Sequence, residues 1–299
     1  MSKKISLLIL FLCLFNISQS QEWMTSFDAA KRIGIAQNKL LLVVWEHTSF
    51  DHISTIMLDK ERLIVVRGKD FLYDEKVSEF LWNYFVPVKL PEDDYEVLFS
   101  EIEGKQGYNY INKFNDDSIK IMDANGFILN SNGQYEDYVL FYKFIERYAV
   151  KTSLLEQDLR NYLKQESFLT AYTLASKYLD FTLFLERKNW KEYVKLSDVY
   201  LNEALSYLPQ IDANKQSSYQ QKCELLKVKQ YVMQNSPRKA IRFLKKYEVS
   251  NIFDLNKSMY HFLLYTSYMM INKEEEALLW RDGISLVDLK KSKIIIDNF

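Results

Sequence analysis

The sequence predicts an α/β domain followed by an all-α domain, in a chain that carries an export signal. Three observations lead there. Apolar residues from 22 to about 135 mix spacings of two with spacings of three and four, whereas from about 136 onward the spacing is helical nearly throughout. Gly and Pro are scarce, seven and four in 299 residues, which argues against disorder and against an all-β fold rich in tight turns. The first twenty residues follow a logic of their own: Lys3 and Lys4, an apolar run from Ile5 to Ile17 broken only by Asn16, then Ser18-Gln19-Ser20 before Gln21.

That last pattern is a positive n-region, an apolar core and a small-residue cleavage site, and it predicts a cleaved signal peptide over 1–20. The run falls well short of the roughly 20 apolar residues that span a bilayer, so stable membrane insertion after cleavage is not expected. Residues 1–20 hold two of the 39 basic residues and none of the 40 acidic ones, which leaves a mature chain of 37 against 40, a charge of −3. Nucleic acid is not a favoured partner at that balance. Cys13 leaves with the signal, so Cys223 stands alone and no intramolecular disulfide can form despite export. Its helical surroundings predict a core thiol. The expected location is the periplasm or cell envelope.

Along the mature chain, residues 23–37 read as an amphipathic helix with Phe27, Ala30 and Ile33 on one face, broken at Asn38-Lys39. Leu40 to Trp45 are six consecutive apolar residues, the pattern of a central strand covered on both faces. Residues 50–58 and the segment after them read as helical, and Ile64-Val65-Val66 as a short strand or a helix end. A helix over 74–84 precedes a strand over 85–90, where Pro87 implies an edge or a bulge. Residues 118–122 alternate, Asp123-Ala124-Asn125-Gly126 is a turn, and Phe127-Ile128-Leu129 resumes, predicting an antiparallel hairpin. A helix over 138–149 closes the domain.

This order of elements is that of a thioredoxin-type domain, and particular residues extend the likeness over about 22–149. Trp23, Phe27 and Ala30 resemble the helix that opens exported members of that family. Ala36-Gln37-Asn38-Lys39 before the apolar strand, and the Asp123-to-Gly126 turn, resemble two further family motifs. The resemblance implies a thioredoxin-like fold. The family's C-x-x-C falls on Phe50-Asp51-His52-Ile53 and its peptide-presenting proline near Asp117, so the redox residues are missing. A nucleophilic cysteine of depressed pKa and a second, resolving thiol are what that chemistry demands. The resemblance therefore implies a redox-inactive domain.

Residues 150–299 read as helices over 154–164, 167–184, 190–208, 217–234, 237–247, 257–270 and 274–287, with Pro237 at a helix start behind a Ser236 cap. Tyr260 to Met270 followed by Glu274-Glu275-Glu276-Ala277-Leu278 resembles a tetratricopeptide helix pair, and Ala240 and Ala277 stand 37 positions apart, near that repeat's period. A plain helical bundle accounts for the same residues.

Candidate chemistry is thin. His47 and His52, with Glu46 and Asp51, lie in the loop after the first strand, but their spacing matches no metal motif and a solvated loop is expected. His261 reads as a core or groove residue. Asp93-Asp94 and Asp116-Asp117 are adjacent carboxylates in loops, which tend to point apart. Tyr108, Tyr110 and Phe114, or Tyr135, Tyr138 and Tyr142, are candidate groove walls, with core packing as the plainer reading. No catalytic, cofactor-binding or metal-binding residue is assigned. The expected role is a non-catalytic, exported binding or scaffold module with a protein partner. The alternative is an oxidoreductase-related protein acting through a non-standard site or a partner's cysteines.

Overall fold

The computed structural model describes residues 22–49, 54–59, 62–67, 74–131 and 140–299. The expected signal peptide, the loop at 50–53 with His52, and Tyr135 and Tyr138 lie outside the described residues. A small mixed sheet with flanking helices leads into an all-helical region.

Helix α1 (Phe27–Gln37) begins where the Ser26 side chain accepts the Ala29 N–H at 3.3 Å, and it stops at Asn38, whose φ of 56° is left-handed. Trp23, expected in this helix, instead precedes it in extended chain, and Met24 bridges to Val88. The Ser26 cap sets the start, because a capped end satisfies the orphan N–H groups that a longer helix would leave buried. Gly34 lets α1 approach the sheet: a β-carbon there would lie 2.9 Å from Leu41 Cδ2.

Strand β1 (Leu41–Trp45) is wholly buried and central, parallel to β4 (Val86–Leu90) and antiparallel to β5 (Lys120–Met122). Its consecutive apolar residues divide between two cores by the period of two. Leu40, Leu42 and Val44 join one, and Leu41, Val43 and Trp45 the other. Pro87 sits on the outer strand as expected. The Val86 N–H bonds to Leu40 O on the β1 side, while Lys89 N and Pro87 O face Met24, at 2.8 and 2.9 Å. The N–H that proline lacks therefore points away from β1 and interrupts no rung with it.

The expected helix from 50 onward is corrected. Strands β2 (Ser54–Asp59) and β3 (Arg62–Arg67) form an antiparallel hairpin with Ile56 opposite Val65. Thr55, Ile56, Ile64, Val65 and Val66 are β-branched, and that stiffness favours strand over helix. Helix α2 (Glu75–Tyr84) starts at the Asp74 cap and runs into β4. Helices α3 (Tyr95–Ile102) and α4 (Tyr108–Asn115) then cover the second core. The hairpin after β5 is slight: Met122 and Ile128 form one bridge, supported by Leu129 N–H to Ile121 O at 2.8 Å.

Helix α5 (Phe141–Tyr148) leads to α6 (Glu156–Lys164), α7 (Phe168–Phe181), α8 (Trp190–Tyr207), α9 (Ala213–Met233), α10 (Pro237–Leu244), α11 (Asp254–Met270), α12 (Glu274–Leu278) and α13 (Leu286–Asp297). Pro237 is the first residue of α10 as expected, but the Ser236 side chain makes no capping bond. The expected helix 274–287 is broken. It ends at Leu278, a short 3-10 turn spans Arg281–Gly283, and Ser285 caps α13 by accepting the Asp288 N–H at 3.1 Å. Within that turn Gly283 lies so close to His261 that a β-carbon would be 1.7 Å from Nδ1, an approach only glycine permits.

Two turns in this region share one construction. Asn235, between α9 and α10, and Asn272, between α11 and α12, have φ of 56° and 57°. The Ser236 and Lys273 N–H groups reach back to Tyr231 O and Tyr268 O at 2.9 and 3.0 Å, and Ala240 and Ala277 follow, each fully buried. The 37-residue spacing of the alanines thus holds for the turns that precede them. A left-handed residue closing a helix is the usual role of Gly or Asn.

Candidate functional site

The residues singled out for chemistry are mostly dispersed. Glu46 and His47 are exposed in the turn after β1, and their expected companions Asp51 and His52 lie outside the described residues. Among the described residues no three His, Cys, Asp or Glu side chains come together as a metal site would require. Asp93 and Asp94 belong to a short 3-10 turn at the surface. Asp116 has a structural role. With its own carbonyl and that of Ser118 it receives the fully buried Lys120 ammonium, and its carboxylate lies 3.8 Å from Lys113. Burial pushes Lys120 down to about 8 against the pull of Asp116. Cys223 is 2% exposed, and burial pushes its thiol up to about 12. His261 is half-buried against Trp280, and burial, aided by Lys257, holds its pKa down.

The turn after β5, read from sequence only as a turn, is the pivot of the molecule. Asp123 is fully buried. Its Oδ1 accepts the N–H groups of Asn125 and Phe127, each at 3.0 Å, which winds the turn. Its Oδ2 accepts the hydroxyls of Tyr178 on α7, at 2.8 Å, and Tyr200 on α8. Burial pushes the carboxyl upward while these four hydrogen bonds oppose it, and the same burial and the neighbouring carboxylate drive both tyrosines well above their ordinary value. A second clasp lies nearby, where Arg147 and Tyr148 at the end of α5 hold Glu192 of α8 at 2.7 and 2.8 Å. No sequence signal announces these partners, because each is a lone polar residue on an otherwise apolar helical face.

Beside the turn opens a cleft of about 240 Å³ between α1, α3, α4, α6 and α8. Its walls are aromatic: Phe27, Tyr110, Phe114, Phe127 and Tyr162. Tyr110 and Phe114 are thus groove walls, whereas the exposed Tyr108 lies outside this cleft. Gly126, at φ 95°, lies so close to Phe27 that a β-carbon would be 2.8 Å from Cζ. Phe127 packs edge-on to Tyr200, and Tyr200 to Tyr162, at 4.8 and 5.3 Å.

The polar lining is uneven. Glu203 of α8 is only 7% exposed, and its carboxylate makes no hydrogen bond or ion pair among the described residues. Burial pushes that carboxyl upward; Lys105 pulls it down and Glu166 pushes it further up. Asn125 donates its Nδ2 to Tyr200 at 3.1 Å, leaving a buried Oδ1 that accepts nothing. Tyr200 already donates to Asp123, so it must accept from the amide nitrogen, which fixes the amide's orientation. Glu166 accepts from Tyr207 at 3.0 Å, and Glu101 and Lys105 stand at the exposed rim. Lys31 pairs with Asp28 at 2.9 Å and lies over the Phe27 ring.

Among the described residues no helix is long and apolar enough to cross a membrane. No protein-family model, curated protein or solved structure matches the chain.

Proposed function

We infer that the chain is an exported, redox-inactive, thioredoxin-like protein of the cell envelope that acts by binding another protein through its helical array. The observation that carries this reading is Cys223, buried and with a thiol held far from its reactive form. An oxidoreductase acting through that residue loses its nucleophile. The order helix, buried strand, helix, edge strand, two helices, strand, turn and helix supports the thioredoxin-like reading, with β2 and β3 as an added hairpin. The repeated Asn-closed turns support a tetratricopeptide-like array.

A partner surface is supported by apolar side chains left open where α12 gives way to α13: Leu279 is 78% and Leu286 79% exposed, with Leu278 and Val287 beside them in sequence. The test is affinity capture from envelope extract with the wild-type chain and with Leu279→Glu/Leu286→Glu. Partners held by the wild type should be lost by the double variant. Recovery of the same partners by both would remove the array as the platform. In an insulin-reduction assay the wild type and Cys223→Ser should be equally inactive, and turnover that depends on Cys223 would restore the enzymatic alternative.

A further inference from the structure

We propose that the cleft beside the 123–126 turn is a binding site for an organic cation, an alkylammonium or guanidinium group, with Glu203 as its counter-ion. One side chain in particular points there. Glu203 is 7% exposed, lines the cleft and makes no hydrogen bond or ion pair among the described residues, so its carboxylate is available to a group entering the cleft. A carboxylate is an acceptor with a negative charge, so the complementary group is a cationic donor.

The walls and the charges agree with a cation. Phe127 and Tyr162 line the cleft, and aromatic faces attract cations through their quadrupoles, as the Lys31 ammonium over the Phe27 ring at the same cleft shows. Three carboxylates, Glu101, Glu166 and Glu203, line it against two ammonium groups, Lys31 and Lys105. Lys31 is neutralised by Asp28, and Lys105 is exposed at the rim and forms no ion pair with Glu203. Size restricts the ligand. A cleft of about 240 Å³ lies below the roughly 300–1,000 Å³ of drug-sized pockets and suits a small amine or one basic side chain. The site does not depend on the thioredoxin-like reading or on the helical array.

The test is calorimetric titration of the full mature chain with benzylammonium, with benzoate as the anion of similar shape. Benzylammonium should bind, benzoate should not, and Glu203→Gln should weaken the cation at least tenfold. Lys105→Gln removes a competing charge at an exposed position and should tighten binding about threefold, so the proposal stays testable if Glu203→Gln fails to fold. Glu22→Gln, outside the cleft, should leave affinity unchanged. Equal binding of benzoate, no response to Glu203→Gln in a folded variant, or no response to Lys105→Gln would overturn the site. Acetyl-lysine-amide and acetyl-Gly-Lys-Gly-amide distinguish the source. Tighter binding of the flanked peptide marks a side chain of a polypeptide, and equal binding marks a free amine; failure of all three cations would overturn the proposal.

Discussion

Asp123 shows how much one residue can carry. Its two oxygens take four hydrogen bonds, two that wind a turn and two that reach helices more than fifty positions away in sequence. Asp123→Ala would unwind the turn and leave two buried tyrosine hydroxyls without their acceptor. At about 1–3 kcal/mol for each unsatisfied group, partly offset by rearrangement, a loss of about 3 kcal/mol is expected in urea unfolding. Asp123→Asn keeps an acceptor for the turn and should lose distinctly less. If the alanine variant unfolds within about 1 kcal/mol of wild type, the network is not the pivot of the molecule.

Asp180 makes the corresponding point for pH. Burial raises its carboxyl, but Lys229 at 2.6 Å and Lys291 at 2.9 Å outweigh burial and hold it below its ordinary value. A carboxylate with a depressed folded pKa contributes stability above its unfolded value, near 3.8, and loses it as pH falls through the folded one. Asp180→Asn should therefore cost stability at pH 7, by about 1 kcal/mol for a partly exposed pair of this kind, and distinctly less at pH 3, below the unfolded value. Unfolding curves at the two pH values would show a flattened acid limb; an equal loss at both would mean that the ion pairs are not the cause.

Among the elements, the helix pairs α9–α10 and α11–α12 depend on the left-handed Asn at each turn. Asn272→Ala should destabilise by about 1 kcal/mol, because its β-carbon crowds the following carbonyl at positive φ, whereas Asn272→Gly should be near neutral. Thermal unfolding of the two variants checks this, and an equal effect would shift the explanation to the Asn side chain. Between α12 and α13 the chain passes the His261 ring at Gly283 too closely for a β-carbon, a contact no helix-period pattern could show.

At the scale of the molecule, the α/β and helical regions share one core. The cluster that begins with Trp23 and the alternate residues of β1 continues without a gap through Tyr178, Tyr200 and Leu226 to Ile295. Its polar clasps are Asp123 with Tyr178 and Tyr200, and Glu192 with Arg147 and Tyr148. A chain cut at 149 would expose this apolar surface and leave Asp123 without its tyrosines. Residues 22–149 alone should therefore fail to give a dispersed, folded NMR spectrum, and the whole chain should unfold in one transition by fluorescence and by circular dichroism. Two separated transitions would mark two independent domains.

The sequence by itself determined the elements whose pattern is local. Six apolar residues in a row announced the central strand, Pro87 announced an outer strand, and spacings of three and four announced most helices between 154 and 270. Core packing, the sequence's plainer reading of Tyr110 and Phe114, holds, and both side chains also reach the cleft wall. The β2–β3 hairpin is not legible in this way, because a short run of apolar residues satisfies both periods and only strand pairing separates them. Tertiary structure alone decided what the turn at 123–126 is for. Asp123 is marked in sequence only as the start of a turn motif, and Glu192 and Glu203 are each one carboxylate on a helix with nothing nearby in sequence to mark them. Whether such a group is solvated, clasped by tyrosines or left facing a cleft depends on which distant elements cover it, and burial then sets how much each partner matters.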